Sequence, residues 1–535
     1  MESSTTDSPS GYQYPGVDDP TRWTVSSVVR WQAENHPQRV AIQFVDGESW
    51  NYADCAQHGI SMASWLRQAG VSAGTPVAVL TDNPGLFCRC WFGLVELGAV
   101  MVAVNTGLRG ESLRHQLTLA SAVCVLTDVD LAGIAKAAAA VPVYPVDNVE
   151  RDSVMSMDHQ IDRHQARHSD SACIMFTSGT SGPSKGVEMP EAHCMLFALG
   201  TIDNLRLNSA GRYYICLPLF HANGLFMQLF ACLVAGAPAV IRARFSASRW
   251  LADIRRYRIT HTNMLGALAA FVAAQPATAD DRDHVLEVVS AAPLPAAPEK
   301  TLRERYGVAS VVPLYGMTEV NIPLYGELHS SAPGTAGKVY DKYFEVEVRD
   351  PETDDPVTDG VTGEIMVRPR QPFGFMSGYI AQPDKTLEAW RNFWFHTGDA
   401  GYRRDDGHFV FVDRIKDCIR RRGENISSYE VEQAFLKLEG ITEAAAFAVP
   451  ASGGEGMEDE VMVALLTHEG WVISADQDFI QLLDKVSQDL PLFAVPRYLL
   501  IVSDLPKTPT GKIRKSVLRE QGITDNTWDA QAPIQ

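Results

Sequence analysis

The chain has 535 residues, of which 46% are hydrophobic and 21% are charged, which indicates a globular protein with more than one domain and excludes disorder throughout. Its 65 acidic residues outnumber its 46 basic residues, so the formal net charge is -19. An acidic surface repels nucleic acid and anionic membranes, and neither is expected as a general partner. The nine cysteines lack the spacing of a zinc site or a disulfide framework, which favours reduced thiols in a cytoplasmic protein.

Residues 1–23 are predicted to be a flexible tail, because Ser, Asp, Gly and Pro dominate the segment. It has no basic patch and no apolar run, so it resembles neither a signal peptide nor a transit peptide. Residues 225–241 are uncharged, but the stretch is short and is interrupted by Gly236 and Pro238. A core helix that runs into a strand is therefore a better interpretation than a membrane span.

Residues 24–415 are predicted to form a large N-terminal domain. Its first part alternates apolar strands with amphipathic helices, which predicts an α/β fold of layered, largely parallel sheets. The predicted strands are 77–80, 101–104, 213–217, 239–241 and 260–264, and the predicted helices are 88–97, 225–235 and 248–256. After about residue 330 the pattern changes to short strands separated by turn-rich segments, which predicts a β subdomain. These strands are 343–348, 363–367 and 408–412.

Residues 416–535 are predicted to form a small α+β C-terminal domain. Ser427 and Glu430 have the spacing of a capping box, which predicts a helix that starts there and ends near Gly440. The remaining elements are predicted as strands 444–449, 461–466 and 498–502 and a helix over 478–490.

The loop after the apolar strand 172–176 has the composition of a phosphate-binding loop, with Thr177, Ser178, Gly179, Thr180, Ser181, Gly182 and Lys185. Small residues let backbone N–H groups and hydroxyls converge on phosphate oxygens, and the lysine adds positive charge. A Walker A loop is excluded, because glycine instead of Ser or Thr follows Lys185. Taken alone, the loop is also compatible with an exposed Ser/Gly hairpin.

Two carboxylates, Glu319 and Asp399, are candidates for the ligand-binding site. Glu319 follows the strand 311–314 and can offer an oxygen ligand to magnesium, although a solvated glutamate is the alternative. Asp399, after Thr397 and Gly398, can accept hydrogen bonds from two hydroxyl groups, although aspartate is also common in turns. Tyr315 offers a flat face for a base, but a core tyrosine would look the same.

Three basic side chains are harder to interpret alone. His221 lies next to an apolar helix, where a histidine is more often a satisfied core residue than a catalytic one. Arg414 could belong to a surface ion pair with Asp413. Lys512 lies in a segment rich in Pro, Thr and Gly, which is too mobile a context for a purely structural lysine. Its neighbours are expected to be solvated charges, namely Lys507, Arg514 and Lys515.

The motifs resemble, in order and over nearly the whole chain, those of the adenylate-forming superfamily, which includes acyl-CoA synthetases, peptide-synthetase adenylation domains and luciferase. They are the 177–186 loop, Pro218-Leu219-Phe220-His221, Ser290-Ala291-Ala292-Pro293-Leu294, Tyr315-Gly316-Met317-Thr318-Glu319, Gly363-Glu364-Ile365, His396-Thr397-Gly398-Asp399, Asp413-Arg414 and Pro506–Lys512. The segments 221–226 and 262–267 are most similar to those of carnitine- and bile-acid-type CoA ligases. Glycine is common in the family where Ser290, Ala291 and Phe393 stand here, and threonine where Ser181 stands.

The resemblance implies an ATP-dependent acid–thiol ligase that uses magnesium and coenzyme A. The acid would attack ATP to give acyl-AMP and pyrophosphate, and a thiol would then displace AMP. Lys512, Glu319, His221 and Lys185 would be catalytic, and Glu319 and Thr177 would hold the metal ion. The residues implied to bind ATP or AMP are Thr177, Ser178, Gly179, Thr180, Ser181, Gly182, Lys185, Ser290, Ala291, Tyr315, Gly316, Met317, Thr318, Asp399, Arg414 and Lys512.

The small domain is implied to rotate between the two steps on a hinge at Lys416. The family's thiol tunnel corresponds here to Arg420, Arg422, Gly423 and Asn425. A charge run is usually a solvated face, but coenzyme A is a polyanion, so Arg420 or Arg422 is hypothesised to contact one of its phosphates.

Two other functions remain open from the sequence. A free-standing adenylation enzyme that loads a carrier protein would share the first step, and a silent binding protein would share the fold. The intact Lys185, Glu319, Asp399 and Lys512 argue against the silent protein. The small Gly266 and Ala267 would leave room for a bulky acid, so a medium-chain or alicyclic substrate is predicted. A homodimer is compatible with the chain.

Overall fold

The computed structural model describes most of the chain. The described residues are 13–146, 163–177, 184–292, 294, 296–330, 332–415, 419–421, 424–450, 459–468, 471, 476–490, 494–508 and 511–531, without the side chains of residues 420, 424 and 425.

The first part of the chain forms two large sheets flanked by helices. Its strands are β1 (Val40–Phe44), β2 (Ser49–Asn51), β3 (Pro76–Leu80), β4 (Val100–Ala103), β5 (Val125–Thr127), β6 (Val143–Pro145), β7 (Ser171–Thr177), β8 (Lys185–Pro190), β9 (Tyr213–Ile215), β10 (Ala239–Ile241), β11 (His261–Leu265), β12 (Val288–Ala292), β13 (Ser310–Met317), β14 (Asn321–Tyr325) and β15 (Lys338–Val339). Its helices are α1 (Val25–Asn35), α2 (Tyr52–Gln68), α3 (Pro84–Leu97), α4 (Gly110–Leu119), α5 (Val129–Ala138), α6 (Glu191–Leu205), a π-helix (Asn223–Phe230), α7 (Ala231–Ala235), α8 (Ala247–Arg256), α9 (Gly266–Ala273) and α10 (Ala296–Glu304).

Later strands complete the domain. They are β16 (Phe344–Arg349), β17 (Gly363–Pro369), β18 (Gly378–Tyr379), β19 (Trp390–Arg391), β20 (Trp394–Arg403) and β21 (Phe409–Arg414), with α11 at Pro383–Ala389. The nine-stranded sheet has the order β15-β14-β13-β12-β11-β9-β10-β1-β2, and the seven-stranded sheet has the order β18-β8-β7-β4-β3-β5-β6. The remaining strands form the predicted β subdomain, in the order β16-β17-β20-β19 with β21 beside β20.

Local sequence explains why the central layers form. Strands β3 and β4 pair in parallel and are apolar along their length, as expected for strands covered by helices on both faces. Helix α3 begins where the Asn83 side chain accepts hydrogen bonds from the next backbone N–H groups, and it ends at Gly98 with φ of 72°. One continuous hydrophobic core joins the two large sheets.

The C-terminal part is a separate α+β layer. Its strands are β22 (Ile419–Arg421), β23 (Glu424–Ile426), β24 (Ile441–Pro450), β25 (Asp459–Thr467), β26 (Tyr498–Val502) and β27 (Trp528–Asp529), and its helices are α12 (Ser428–Leu436), α13 (Asp476–Val486) and α14 (Lys515–Gln521). Strands β24 to β27 form one sheet in sequence order. The predicted α/β fold with a smaller α+β unit is confirmed, and a boundary at residue 416 stays a prediction because residues 416–418 lie outside the described ones.

Several local predictions need correction. Residues 13–23 are not a tail: Pro15–Asp18 and Pro20–Arg22 form two 3-10 turns, and Tyr14 and Trp23 are buried against the core. The predicted helix 225–235 is a π-helix followed by a short α-helix, and its residues are buried. Among the described residues, no helix is long and apolar enough to cross a membrane.

The junction around α12 also differs from the prediction. Of the two hydrogen bonds of the predicted capping box, the described contacts include only the one in which the Ser427 hydroxyl accepts from the Glu430 N–H. The same hydroxyl donates to the carbonyl of Val412 on β21. The prediction that Lys515 is solvated is wrong. Its ammonium lies 2.7 Å from the carboxylate of Glu432 on α12, and the Lys515 side chain is 15% exposed.

Candidate active site

Asp399 lies at the centre of the predicted nucleotide-binding residues. Pairing of β20 with β21 places it directly opposite Arg414. The Arg414 Nε lies 2.9 Å from Asp399 Oδ1, and the Tyr315 hydroxyl donates to Oδ2 at 2.6 Å. Burial raises the pKa of Asp399 to about 6, and the charge of Arg414 only partly opposes that shift. The carboxylate is thus fixed in orientation and easily protonated.

The backbone turns at a bulge within β20, and contacts from β17 hold this aspartate there. Gly398 adopts φ of 70°, which glycine tolerates, and its N–H donates to the Glu364 carboxylate at 2.8 Å. The Thr397 hydroxyl accepts from the Asp399 N–H and donates to the carbonyl of Ile365. The Gly363-Glu364-Ile365 motif therefore shapes the Asp399 turn, a supporting role that the sequence alone did not indicate.

Glu319 lies in the turn between β13 and β14, as predicted. Its side chain is buried, and its Oε1 accepts a hydrogen bond of 3.0 Å from the Tyr379 hydroxyl. The face of the same Tyr379 ring lies 4.4 Å from the Lys185 ammonium. Tyr379 thus connects the lysine of the phosphate loop with the predicted metal ligand, and sequence reasoning missed it.

The chain before Glu319 is held tightly. A Cβ on Gly316 would lie 2.1 Å from the Asn321 carbonyl oxygen, so only glycine fits there. The carbonyl of Thr318 lies 2.8 Å from Nε2 of His193, whose Nδ1 lies 2.7 Å from the carbonyl of Gly374. The buried imidazole therefore positions the Tyr315–Glu319 motif from helix α6.

The phosphate loop connects two antiparallel strands, with Thr177 paired in register with Lys185. Residues Ser178, Gly179, Thr180, Ser181 and Gly182 lie outside the described residues, so their predicted contacts stay predictions. Helix α4 supports the end of the loop, because Gln116 donates to the Ser184 hydroxyl at 3.1 Å and His115 Nε2 lies 3.1 Å from the Ser184 carbonyl.

Lys512 reaches the large domain from the small one. Desolvation and the positive charge of Arg414 lower the pKa of Lys512. The carboxylates of Asp399 and Glu319 oppose that shift. Burial and then the charge of Lys512 lower the pKa of His221 to about 4. His221, Asp399, Glu319 and Arg414 therefore lie close enough to Lys512 to interact with its charge.

The structure describes the remaining predicted site residues only in part. Ser290 and Ala291 lie on β12 and are fully buried, and Met317 and Thr318 follow Tyr315 along the same segment. Arg420 and Asn425 face each other in the β22–β23 pair, without described side chains. Lys416, Arg422 and Gly423 lie outside the described residues. Arg421, which stands between Arg420 and Arg422 in the sequence, is anchored inside the small domain, 2.8 Å from Glu460.

These residues fit a magnesium nucleotide. The described residues contain no group of three His, Cys, Asp or Glu side chains that could hold a metal ion by themselves. A magnesium ion held mainly by phosphate oxygens and water needs only one or two protein carboxylates, and Glu319 offers one. Lys185, Arg414 and Lys512 supply positive charge that an anionic triphosphate requires in a protein of net charge -19.

Comparison with known proteins agrees with this geometry. Residues 29–380 match the AMP-binding enzyme family, and residues 430–512 match the AMP-binding enzyme C-terminal domain. The medium/long-chain-fatty-acid–CoA ligase FadD17 of Mycobacterium tuberculosis is 30% identical over 485 residues, which cover 90% of this chain and 93% of FadD17. The crotonobetaine/carnitine–CoA ligase of Salmonella paratyphi A is 28% identical over 519 residues, or 91% of this chain and 97% of the ligase.

Solved structures share the fold. O-succinylbenzoate coenzyme A synthetase (MenE) of Bacillus subtilis, in complex with ATP and a magnesium ion, superposes with a TM-score of 0.80. It is 25% identical, and the match covers 92% of this chain and 98% of that one. The two family matches together span most of the described chain, in the order that the motifs predicted. The chain therefore belongs to the AMP-binding enzyme family, and the predicted membership of the adenylate-forming superfamily is confirmed.

Proposed function

We propose that this enzyme is an ATP-dependent carboxylic acid:coenzyme A ligase. It forms acyl-AMP and pyrophosphate from the acid and ATP, and then acyl-CoA and AMP. The observation that carries the proposal is the position of Lys512, which lies close enough to His221, Asp399, Glu319 and Arg414 for its charge to interact with them. The CoA ligases among the relatives and the ATP–magnesium complex of the structural neighbour support the same reaction and the same cofactors.

In the first half-reaction the side chains position charge and form no covalent bond with substrate. Asp399 accepts hydrogen bonds from the ribose hydroxyls while Arg414 fixes the carboxylate. Lys512 contacts the acyl carboxylate and the α-phosphate and stabilises the charge that develops as pyrophosphate leaves. Lys185 and the loop from Thr177 hold the triphosphate. Glu319, oriented by Tyr379, would hold magnesium, which supplies positive charge to the phosphates.

His221 borders the acyl carboxylate as a neutral imidazole. Its pKa of about 4 leaves it uncharged at neutral pH, so it adds no second positive charge beside Lys512. A neutral ring can still donate or accept one hydrogen bond at the carboxylate. Positive charge at the reacting group is thus left to the lysine.

The second half-reaction belongs to the small domain. A rotation at Lys416 would withdraw Lys512 and bring the β22–β23 hairpin to the acyl-AMP. Arg420 or Arg422 would then contact a phosphate of coenzyme A, and Gly423 and Asn425 would border the thiol path. Arg421 supports this arrangement, because its ion pair with Glu460 anchors the hairpin to the domain that moves.

For the acid, the relatives point to two substrate types, a medium- or long-chain fatty acid and a carnitine-like acid. The small Gly266 at the start of α9 supports a medium-chain or alicyclic acid.

We place the enzyme in the cytoplasm, since the eight described cysteines are free, buried thiols, as in a reducing compartment. A homodimer is the assembly we propose.

A carrier-loading adenylation enzyme is the alternative, and trapping the intermediate separates the two. With hydroxylamine, the protein is expected to release pyrophosphate and form acyl hydroxamate from an acid and ATP. With coenzyme A instead, mass spectrometry is expected to detect acyl-CoA and AMP in equal amounts. Hydroxamate without any acyl-CoA would favour the carrier-loading enzyme, and no acid-dependent pyrophosphate release at all would leave a silent binding protein.

The pH dependence of nucleoside binding tests the role of Asp399. Its pKa is raised to about 6, so the carboxyl becomes protonated and loses acceptor capacity below that pH. The ionised fraction falls to about one tenth at one unit below the pKa, so the Kd for adenosine should rise up to about tenfold between pH 7 and pH 5. Adenosine carries no phosphate, so titration calorimetry reports the protein group. The Asp399→Asn variant should bind more weakly and with a flat profile; the same slope in both proteins would contradict the assignment.

A further inference from the structure

Three side-chain amides, two of them fully buried, form a connected group beside the candidate active site, here called the carboxamide cluster: Asn223, Gln228 and Asn263. Gln228 Nε2 donates to Asn223 Oδ1 at 2.8 Å, and Asn223 Nδ2 donates to Asn263 Oδ1 at 3.4 Å. Asn263 Nδ2 lies 3.5 Å from the Met227 sulfur, a weak acceptor. The three amides thus form a chain that ends at Gln228.

The inner end of this chain, the Gln228 side-chain oxygen, has no partner among the described residues. Gln228 is fully buried and Asn263 is 1% exposed, yet Gln228 Oε1 has no hydrogen-bond partner among the described residues. Exchanging the oxygen and nitrogen of Gln228 leaves an unpartnered NH₂ group in its place, so one end of this amide stays unsatisfied in either orientation. A buried polar atom without a partner is costly, and such atoms in native proteins need an explanation.

The cluster lies beside His221, which in the proposed function borders the carboxylate of the acid. Asn223 follows His221 by two residues, and the Leu225 N–H donates to the His221 carbonyl at 3.0 Å. Gly224 allows this close packing, since a Cβ there would lie 2.4 Å from the Pro218 carbonyl oxygen. On the other side, Asn263 pairs in register with Ser290, a residue of the predicted nucleotide site.

The π-helix explains how two amides meet on one face. In a π-helix, residues five apart are hydrogen-bonded neighbours, and this is the separation of Asn223 and Gln228. Segments of π-helix often occur at functional sites. Asn223 is part-exposed while Gln228 is fully buried, so the cluster leads from the partly exposed region at His221 into the interior.

We propose, building on the proposed ligase function, that the carboxamide cluster selects a carboxylic acid whose acyl chain carries a neutral hydrogen-bonding substituent, best a hydroxyl group. A hydroxyl both donates and accepts, so it can bond the unpartnered Gln228 oxygen and an amide N–H of an asparagine. An unsubstituted alkyl chain would leave these groups unpaired. A second carboxylate is disfavoured, because the cluster's partners among the described residues are amides and a thioether, with no cation.

Matched pairs of acids test the proposal on the wild-type enzyme. Straight-chain acids of four to eight carbons are compared with their hydroxy, oxo and amide counterparts and with dicarboxylic acids of equal length, by pyrophosphate release. We expect kcat/KM for the best hydroxy acid to exceed that of its alkyl partner by about 10- to 100-fold, the effect of pairing a buried polar group. Alkyl acids used within threefold of every hydroxy partner would overturn the proposal, and so would a dicarboxylic acid used best.

Variants locate the preference in the cluster. Gln228→Met and Asn263→Leu remove the amide and keep a similar side-chain volume. In each variant, kcat/KM for the hydroxy acid and for its alkyl partner are expected to lie within about threefold of each other, because kcat/KM for the alkyl acid increases. Gln32→Met is the matched control. Gln32 is also fully buried, bonds the carbonyl of Leu233 and has an unpartnered Oε1, but it lies on α1. Its replacement should leave the ratio unchanged.

The outcomes separate this inference from the function on which it rests. If no acid supports pyrophosphate release, both are overturned. If acids are activated but hydroxy and alkyl partners are equal, only the substrate preference is overturned, and the ligase function stands. A preference in the wild type that survives both cluster variants would also overturn the assignment to this cluster, because the hydroxyl would then be recognised elsewhere.

Discussion

Replacing Lys512 by alanine is expected to lower the rate of acyl-AMP formation by about 10²- to 10³-fold, the loss seen when one group that stabilises transition-state charge is removed. The reason is its position, since Lys512 is the small-domain residue whose charge acts on His221 and is itself influenced by Asp399 and Glu319. The measurement is acid-dependent pyrophosphate release at saturating ATP.

The second half-reaction provides the contrast for this variant. With acyl-AMP supplied directly, formation of acyl-CoA by Lys512→Ala should stay within about threefold of the wild type, because Lys512 would have rotated away. The matched control is Lys507→Ala, which removes a lysine of the same segment that pairs with Glu443 instead. Equal loss in both half-reactions, or an equal effect of Lys507→Ala, would contradict the assigned role of Lys512.

Replacing Glu319 by glutamine is expected to lower kcat by about 10²-fold and to raise the magnesium concentration needed for half-maximal activity by about tenfold or more. The change keeps the size of the side chain and its hydrogen bond from Tyr379 but removes the negative charge that a hard cation prefers. Pyrophosphate release is measured over a magnesium titration at fixed ATP.

The control for this prediction is Glu327→Gln, which neutralises a half-exposed carboxylate paired with Lys338 in the same domain. Its magnesium dependence should match that of the wild type. A Glu319→Gln enzyme with lower activity but an unchanged magnesium requirement would show that the carboxylate orients the site without contacting the metal ion.

Predictions that depended on contiguous segments agree with the structure. Apolar runs such as 77–80 and 101–104 are strands, since a stretch buried on both faces must be apolar whatever lies beside it. The turn that carries Glu319 follows an apolar strand, as predicted, whereas the predicted turn at Asp399 is a bulge within β20, where Gly398 adopts a positive φ. The predicted tail to residue 23 was wrong because Tyr14 and Trp23 are buried by packing against the core, which their polar neighbours do not indicate.

Residues that act through distant contacts were missed. Tyr379 lies 60 positions from Glu319, and it reaches that carboxylate only because β18 pairs with β8 at the edge of the seven-stranded sheet. Lys515 was predicted to be solvated in a basic segment, yet the fold places its ammonium 2.7 Å from the Glu432 carboxylate. Neither contact can be recognised from the neighbouring sequence, because the residues around a tyrosine or a lysine do not indicate which distant side chain it will contact.

The sequence by itself determined the layered α/β class and the smaller second unit, because hydrophobic periodicity is a property of neighbouring residues. The resemblance of its motifs to the adenylate-forming superfamily implied the chemistry. Only the tertiary structure decided how the site is assembled: which groups hold Asp399 and Glu319, how Lys512 reaches them from another domain, and where three amides meet beside His221. These contacts join residues far apart in the chain, and they exist only after strand order, register and helix packing are fixed.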